Sequence, residues 1–368
     1  MEYRPVTSSL SIRPLAAALV FAGLAGTAGA QTYSRTEVTT YHDNTTIWVL
    51  GQSASEVCTA SIPASDACDG DVVSATTFDA TFALPVAQSA FGRVVNTYAF
   101  DTASSVDLGQ RGTLKSVTDA AGNASTFSQW SRGIPQRMVY ADASVETAVV
   151  DAATGWISSV TDQLGNMTAY EYDAMGRVIK VIHPKGDTTA WNDMNRAFVP
   201  TTTAEYGLAA GHWRETVSTG TGTTVRYYDA LWRPVLVRQF DAANVIGTQS
   251  FVKSSFDSSG KPVFQSYPST SSTPSMGTWT DYDALGRVVT VGQDTELTPS
   301  LQVSTISYGA GFTTTTTNAR GFSTTTSFQA YDQPSTDWPR SISEPEGVAT
   351  DIVRDPFGKP KSSTRSGP

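Results

Sequence analysis

The segment that decides the fold runs from Val160 to Lys185 and reads VTDQLGNMTAYEYDAMGRVIKVIHPK. It contains one turn sequence at Asp162–Asn166, a second at Tyr172–Arg177 and a third that begins at His183. The glycines of the first two turns are eleven residues apart, and short alternating segments separate the turns. Two turns in about 21 residues is the period of an array of β-hairpins.

The motif Tyr-Asp-x-x-Gly-Arg explains how the chain reverses between strands. Asp173 opens the second turn because its carboxylate can accept hydrogen bonds from the next backbone N–H groups. Gly176 supplies the positive φ of a type I turn followed by a bulge, a common hairpin connection. Tyr172 before the turn and Arg177-Val178 after it are then expected to lie on facing strands, where they can pair across the hairpin with the ring covering an aliphatic stem.

Copies of this motif, some of them degenerate, recur from about Phe78 to Lys359. The segment Trp191–Arg196 resembles a copy in which Asn195 replaces the turn glycine. In one copy Trp232 stands in the glycine position, so its side chain either protrudes from the turn or imposes another turn geometry. The residues predicted to shape the turns are Asp162, Gly165, Tyr172, Asp173, Gly176, Arg177, Tyr228, Asp229, Asp257, Gly260, Tyr282, Asp283, Gly286, Arg287, Asp355 and Gly358.

Strands of six or seven residues fit between the turns, and each would be about 20–23 Å long at ~3.3 Å per residue. One hairpin is too small to bury its own face, so neighbouring hairpins must complete it. The sequence therefore predicts an all-β fold, a stacked antiparallel β-hairpin sheet that curves into a partial shell or a β-solenoid-like arrangement. The alternative is a β-sandwich or a propeller, although a propeller blade needs four strands in a period of about 40 residues.

The N-terminal residues 1–30 have the pattern of a signal peptide. Arg4 and Arg13 form a basic region, Leu15 to Leu24 an apolar core, and residues 28–30 a small-residue cleavage site. The apolar run is too short to span a bilayer. We therefore expect cleavage before Gln31 and export to the periplasm, the cell surface or the medium, without a membrane span.

Three further segments are expected after residue 30. Residues 31–77 form a lead-in of strands and loops, 78–360 the repeat region, and 361–368 a disordered tail. In an exported chain, Cys58 and Cys68 are expected to form a disulfide, whereas free thiols are the alternative. The region from Tyr206 to Arg214 interrupts the repeats and is expected to be a loop or a short helix.

The composition excludes several function classes. A net charge of −9 argues against binding to nucleic acid, which requires a clustered basic surface. The three histidines, His42, His183 and His212, are far apart in sequence, so no catalytic or metal-binding constellation is expected and no cofactor is implied. Three acidic residues between Asp66 and Asp71 resemble a calcium loop, but Thr77 stands where an acidic ligand is needed. A calcium site of another type is left open.

The motifs at Tyr172–Val178 and Tyr282–Val288, with the turn at Asp162–Asn166, resemble the YD repeats of bacterial RHS (rearrangement hot spot) proteins. This resemblance implies a β-sheet that spirals into a shell and, in the bacterial members, encloses a C-terminal toxin. The chain resembles an N-terminal or partial member, because Lys359 stands where the closing Asp-Pro-x-Gly-Leu motif of the family has leucine. A toxin domain or further RHS repeats encoded elsewhere are the partners that the resemblance implies.

The leading hypothesis is a non-enzymatic, exported structural module of a polymorphic-toxin or cell-surface system. The second hypothesis is a binding surface for carbohydrate or protein, formed by exposed aromatic residues of the repeats. Trp232 is the residue expected to contact a glycan, since a bulky side chain replaces the turn glycine there.

Overall fold

The computed structural model describes residues 34–62, 68, 70–105, 108–186, 188, 191–296, 300–330 and 335–367. The predicted signal peptide at residues 1–30 lies outside these residues, as does Asp66 of the calcium-loop candidate. No helix within the described ranges is long and apolar enough to cross a membrane.

The described residues are almost entirely β-structure, which confirms the predicted all-β class. Twenty-six strands belong to one antiparallel sheet, and the helical elements are α1 (Val245–Thr248) and a 3-10 turn at Pro345–Gly347. The strands are β1 (Ser34–Asn44), β2 (Val49–Ile62), β3 (Asp71–Phe78), β4 (Pro85–Ala90), β5 (Arg93–Phe100), β6 (Leu114–Asp119), β7 (Ala124–Ser131), β8 (Ile134–Val139), β9 (Val145–Val150), β10 (Ile157–Thr161), β11 (Met167–Tyr172), β12 (Val178–Ile182), β13 (Met194–Pro200), β14 (Trp213–Thr219), β15 (Gly222–Tyr228), β16 (Pro234–Asp241), β17 (Ser250–Phe256), β18 (Pro262–Ser266), β19 (Gly277–Tyr282), β20 (Val288–Asp294), β21 (Leu301–Gly309), β22 (Thr313–Thr317), β23 (Ser323–Phe328), β24 (Pro339–Ser343), β25 (Ala349–Arg354) and β26 (Pro360–Ser366).

Strands that follow each other in sequence pair with each other, as a hairpin array requires. In the hairpin of β11 and β12, Tyr170 faces Val181, but the register shifts by one residue so that Tyr172 faces Val178. The same shift occurs beside the turns that follow β15, β17, β19 and β25. A shift of this kind marks a β-bulge next to the turn.

The chain divides into two compact units. Unit 1 comprises the described residues up to Ala99, those from Val117 to Gly122 and those from Ile306 onward; unit 2 comprises Phe100–Ser116 and Asn123–Thr305. The division does not follow the sequence-based segments, because the region 78–360 contributes to both units.

Unit 1 brings together strands from both ends of the described chain. The rings of Phe91 and Phe357 meet edge to face at 4.9 Å, and Arg35 donates a 3.0 Å hydrogen bond to the carbonyl oxygen of Pro356. Cys58 and Cys68 form the predicted disulfide, with their Cα atoms 5.7 Å apart. Both cysteines are buried, so the bridge fixes the end of β2 to the segment before β3.

The core of unit 2 lies on one face of the strands β15, β16 and β17. Val225, Tyr227, Leu236 and Phe251 form a buried cluster, and Leu208 packs against it. Leu208 belongs to the insertion at 201–212, which forms a loop with a bridge between residues 205 and 208. The loop therefore covers apolar side chains that the hairpins alone would leave exposed.

Two details of the sequence prediction are wrong. Most of the expected disordered tail is strand β26, because Pro360–Ser366 pairs along its length with β25. Asn195, which stands where a degenerate repeat would have its turn glycine, lies inside β13 and faces Lys180 of β12. In both cases backbone pairing with a neighbouring strand outweighs a weak local turn signal.

Candidate functional site

Each turn aspartate accepts hydrogen bonds from backbone N–H groups of its own turn. In the turn after β11, the Oδ1 atom of Asp173 accepts hydrogen bonds from the backbone N–H groups of Met175 at 2.9 Å and Arg177 at 3.0 Å. The N–H of Arg177, opposed in part by burial, lowers the pKa of the Asp173 carboxyl. The same pair of bonds, from the second and fourth residues on, occurs at Asp162, Asp229, Asp257, Asp283 and Asp355.

The arginine after the turn glycine also contacts its own aspartate. Arg177 Nε lies 2.7 Å from Asp173 Oδ2, and Arg287 and Asp283 repeat this contact at 2.7 Å. Because these side chains are partly exposed, each ion pair adds little to stability. Since both oxygens of these carboxylates accept bonds from within their own turn, neither oxygen is left for a ligand.

The turn glycine lies against a side chain from an earlier turn. Gly176 has a φ of +79°, and a Cβ placed on it would be 2.9 Å from the ring of Trp156. Gly358 lies against Trp338 in the same way. Trp156 itself follows Gly155, so it has the position in its turn that Arg177 has two turns later. Positive φ also occurs at Gly165, Gly260 and Gly286.

The tyrosine before the turn aspartate bonds across to the start of the preceding, paired strand. Tyr172 donates a 2.7 Å hydrogen bond from its hydroxyl to the carbonyl oxygen of Ile157. Tyr282 makes the equivalent bond to Pro262 at 2.8 Å. Ile157 and Pro262 are each the second residue after a turn glycine. Each tyrosine thus reaches back to the start of the strand that follows an earlier turn.

Aromatic and cationic contacts reinforce this connection. The ring of Tyr172 lies 5.2 Å from that of Trp156. Lys261 Nζ lies 5.3 Å from the ring centroid of Tyr282. The residue after a turn glycine therefore packs on the aromatic side chain of the next hairpin. Tyr172 faces Val178 across its own hairpin, as expected, and the guanidinium of Arg177 lies over the ring of Phe198, at 5.1 Å.

Trp232 keeps the turn geometry although it replaces glycine. Its φ is +63°, and its N–H donates a 3.1 Å hydrogen bond to the carbonyl oxygen of Asp229, as Gly176 does to Asp173. A left-handed backbone costs a bulky residue free energy. The side chain is 55% exposed, so of the two alternatives the unchanged turn with an exposed ring is the one found.

Trp232 belongs to a group of four rings on one sheet face of unit 2, which we call the aromatic cluster. The cluster comprises Phe198, Trp213, Tyr228 and Trp232. The Phe198 ring lies 5.0 Å from that of Trp213 and 5.7 Å from those of Tyr228 and Trp232. Trp213 and Trp232 are 5.3 Å apart. These separations are typical of favourable aromatic pairs, so the cluster is mutually packed.

A buried carboxylate lies beside the aromatic cluster. Glu215 Oε1 accepts a 2.6 Å hydrogen bond from Arg196 Nε, and Oε2 accepts bonds from Arg226 Nη1 at 2.9 Å and the Tyr228 hydroxyl at 3.2 Å. Burial favours the neutral acid, but the two guanidinium groups outweigh it and lower the pKa of the Glu215 carboxyl. These three contacts, two of them charge-assisted, join three strands, β13, β14 and β15.

A cleft of about 480 Å³ opens at the edge of the aromatic cluster. It lies between the loop Leu208–His212 and the turn Tyr228–Trp232, and Trp213 also lines it. The cleft contains one carboxylate, that of Asp229, whose two oxygens accept bonds from Leu231 and Arg233. His212, another titratable side chain of the cleft, contacts the carbonyl oxygen of Ala209. The arrangement can pack flat apolar groups.

The three histidines lie in separate environments. His42 stacks on Phe78 at 5.1 Å, and His183 lies 6.3 Å from the ring of Trp191. His212 Nδ1 lies 2.8 Å from the carbonyl oxygen of Ala209. In the part of the chain that the structure describes, no group of three or more His, Cys, Asp or Glu side chains is arranged to hold a metal ion.

The sequence identified the turn residues but missed the contacts between turns and most of the aromatic cluster. Phe198 and Trp213 have no repeat signal, since each lies on a strand next to the irregular loop at 201–212. Glu215 was missed because a single acidic residue within a strand resembles a solvent-facing position. The alternation Trp213, Glu215, Val217 on β14 would have placed it on the face of the aromatic residues.

Comparisons with known proteins give one family match and a set of distant structural similarities. The model of the RHS repeat matches residues 151–188. A search of curated proteins gives no match. A mutant Tc holotoxin pore of Photorhabdus luminescens is similar with a TM-score of 0.22 and 10% identity, over 90% of this chain and 22% of that chain.

Two crystal structures that contain TcdB2 and TccC3 are similar to the same degree. One has a TM-score of 0.23 and 10% identity, with coverage of 88% of this chain and 22% of that chain. The other, which lacks the hypervariable C-terminal region, has a TM-score of 0.22 and 10% identity, with coverage of 89% and 23%. The chain thus spans about a fifth of the length of these solved chains.

Proposed function

Because the chain carries an RHS repeat and belongs to the RHS/YD-repeat family, we propose that it is a non-enzymatic, exported structural module. Its hairpin sheet would form part of a β-sheet shell in a toxin-delivery or cell-surface system. Further RHS repeats or a toxin domain encoded elsewhere would be its partners.

The observation that carries this proposal is the way successive hairpins are joined. Tyr172 and Tyr282 each bond to the first residue of the preceding, paired strand. Arg354 makes the equivalent link through its Nε, with a 3.0 Å bond to the carbonyl oxygen of Pro339. The side chains that recur are thus used to build a sheet, and the turn carboxylates are occupied by their own backbone. This structural use of the recurring side chains supports a scaffold role rather than a catalytic one.

Export and assembly can be tested in the cell that produces the protein. We expect the intact mass of the chain recovered outside the cytoplasm to begin at Gln31, and native electrophoresis to show an assembly with another RHS or toxin polypeptide. Replacing Leu19 by Arg in the apolar core should retain the chain in the cytoplasm. Recovery of an exported chain that begins at Met1, or of a monomer alone, would contradict the proposal.

The second candidate is a binding surface at the aromatic cluster. The exposed ring of Trp232 favours it, since this side chain is 55% exposed on a backbone that disfavours bulky residues. Strain of this kind is commonly kept where a side chain has a role beyond packing. Carbohydrate and protein are the two ligand classes that an aromatic surface serves.

A further inference from the structure

The cleft beside Trp232 offers hydrogen-bond donors but few acceptors. In the described part of the chain, the indole N–H groups of Trp213 and Trp232 have no hydrogen-bond partner. Neither nitrogen is among the buried polar atoms that lack a partner. By contrast, Asp229 Oδ1 accepts two backbone bonds, from Leu231 at 2.9 Å and Arg233 at 3.0 Å. Oδ2 accepts the Arg233 guanidinium at 2.8 Å. Both oxygens of the Asp229 carboxylate therefore already accept hydrogen bonds within the turn.

The other polar side chains around the cleft are also engaged. His212 contacts the carbonyl oxygen of Ala209 at 2.8 Å and the hydroxyl of Thr201 at 3.0 Å. The Tyr228 hydroxyl donates to Glu215. A ligand that fits this cleft therefore has hydrogen-bond acceptors, such as carbonyl oxygens, and flat apolar groups. It has few hydrogen-bond donors of its own.

Hydrogen-bond complementarity distinguishes between the two ligand classes. A sugar ring carries many hydroxyl donors, each of which costs free energy if it is desolvated without an acceptor. A proline-rich segment has no N–H at its prolines, and its carbonyls point outward in the extended polyproline II helix. Its rings pack in grooves lined by aromatic residues.

We propose that the cleft between the loop Leu208–His212 and the turn Tyr228–Trp232 binds an extended, uncharged, proline-rich segment of a partner protein. This inference rests on the second candidate function and names its partner class. Proline rings would pack against Trp213 and Trp232, and the indole N–H groups would donate to carbonyl oxygens of the segment.

The cleft is preorganised for such a ligand. The turn fixes the backbone of Trp232 through the 3.1 Å bond to Asp229, and the Phe198 ring supports Trp232 at 5.7 Å. A polyproline II helix is itself stiff before binding. Little conformational entropy is therefore lost on either side when the complex forms.

The test is a titration of the full chain with a short, uncharged polyproline peptide, followed by isothermal calorimetry and tryptophan fluorescence. We expect saturable binding that weakens at least about tenfold in Trp232→Gly, since one aromatic contact in a desolvated site is worth roughly that factor. Glycine stands in this turn position in the other repeats, so the variant should keep the turn. Leu231→Ala, a neighbour that does not line the cleft, should bind as the unaltered chain does.

Three results would overturn the inference. They are no binding of the polyproline peptide, equal binding of a Gly-Ser peptide of the same length, and equal affinity in Trp232→Gly. Saturable binding of a neutral oligosaccharide without binding of the peptide would assign the cleft to glycans instead. None of these results bears on the structural module, which is tested by the mass and assembly of the exported chain.

Discussion

The hydroxyl of Tyr172 donates a 2.7 Å hydrogen bond to the carbonyl oxygen of Ile157, the first residue of the neighbouring strand β10. The ring of the same tyrosine packs on Trp156. One side chain thus adds a polar and an apolar link between β10 and β11, which also pair through their backbones. The tyrosine of the repeat motif is therefore a connector between hairpins.

Removal of this hydroxyl should weaken the connection. We expect Tyr172→Phe to lower the free energy of unfolding by about 1 kcal/mol, because the carbonyl of Ile157 loses its partner while the ring remains. Tyr170→Phe is the matched control, since no hydrogen bond of its hydroxyl is found in the described chain. Urea denaturation of both variants measures the effect, and an equal loss in the two would count against a connecting role.

The turn glycine should tolerate a side chain far less than its neighbour. Gly176→Val forces a β-branched residue into a φ of +79° and toward the ring of Trp156. We expect a loss of about 2–4 kcal/mol in the free energy of unfolding. Met175→Val changes an exposed side chain in the same turn and should cost less than about 0.5 kcal/mol. Equal melting temperatures for the two variants would contradict the bulged turn.

The buried carboxylate beside the aromatic cluster should contribute more than an exposed one. Glu215→Gln removes the charge that Arg196 and Arg226 share, and we expect a loss of about 2–3 kcal/mol, reduced from that of a fully buried pair because both guanidinium groups are partly exposed. Glu171→Gln breaks a more exposed pair with Lys180 and should change stability by less than about 0.5 kcal/mol. Thermal denaturation at neutral pH compares them.

The turn aspartates should make the fold sensitive to acid. The pKa of the Asp173 carboxyl is lowered by the N–H of Arg177, so its ionised form contributes stability above the ordinary pKa of 3.8. This contribution is lost as pH falls below that value toward the lowered folded pKa. Asp173→Asn removes the charge, so it should lower stability at neutral pH by the contribution of that charge and should reduce the further loss of stability between pH 4 and pH 2.

Asparagine is a suitable replacement because the chain already uses it. Asn318 Oδ1 accepts bonds from the N–H groups of Arg320 at 3.0 Å and Phe322 at 3.1 Å, as the turn aspartates do. Acid titrations followed by circular dichroism should therefore separate the charge from the turn geometry. An unchanged acid transition in Asp173→Asn would exclude a contribution from this carboxyl.

The local part of the fold could be predicted from the sequence, because turn chemistry is local. Asp173 and Gly176 specify a turn through bonds within five residues, and the period between turns sets the strand length. The contacts between hairpins could not be predicted, since Trp156 and Gly176 are separated by twenty residues and by two strands. Their juxtaposition depends on the stacking of hairpins, which has no sequence signal of its own.

The candidate site was predicted only in part for the same reason. Trp232 was conspicuous because it breaks the repeat, whereas Phe198 and Trp213 resemble ordinary strand residues. The loop at 201–212, which walls the cleft, has no repeat pattern and is placed by contacts such as that of Tyr206 with Tyr227, 5.0 Å apart. Irregular insertions are positioned by tertiary packing, which outweighs local preference.

Amide hydrogen exchange of Gly176→Val tests most directly whether the hairpins are joined through their turns. We expect faster exchange in the altered hairpin, β11 and β12, and also in β10 (Ile157–Thr161), whose first residue bonds to Tyr172. Met175→Val should leave exchange in both regions unchanged. Faster exchange confined to β11 and β12, with β10 as protected as in the unaltered chain, would contradict the account.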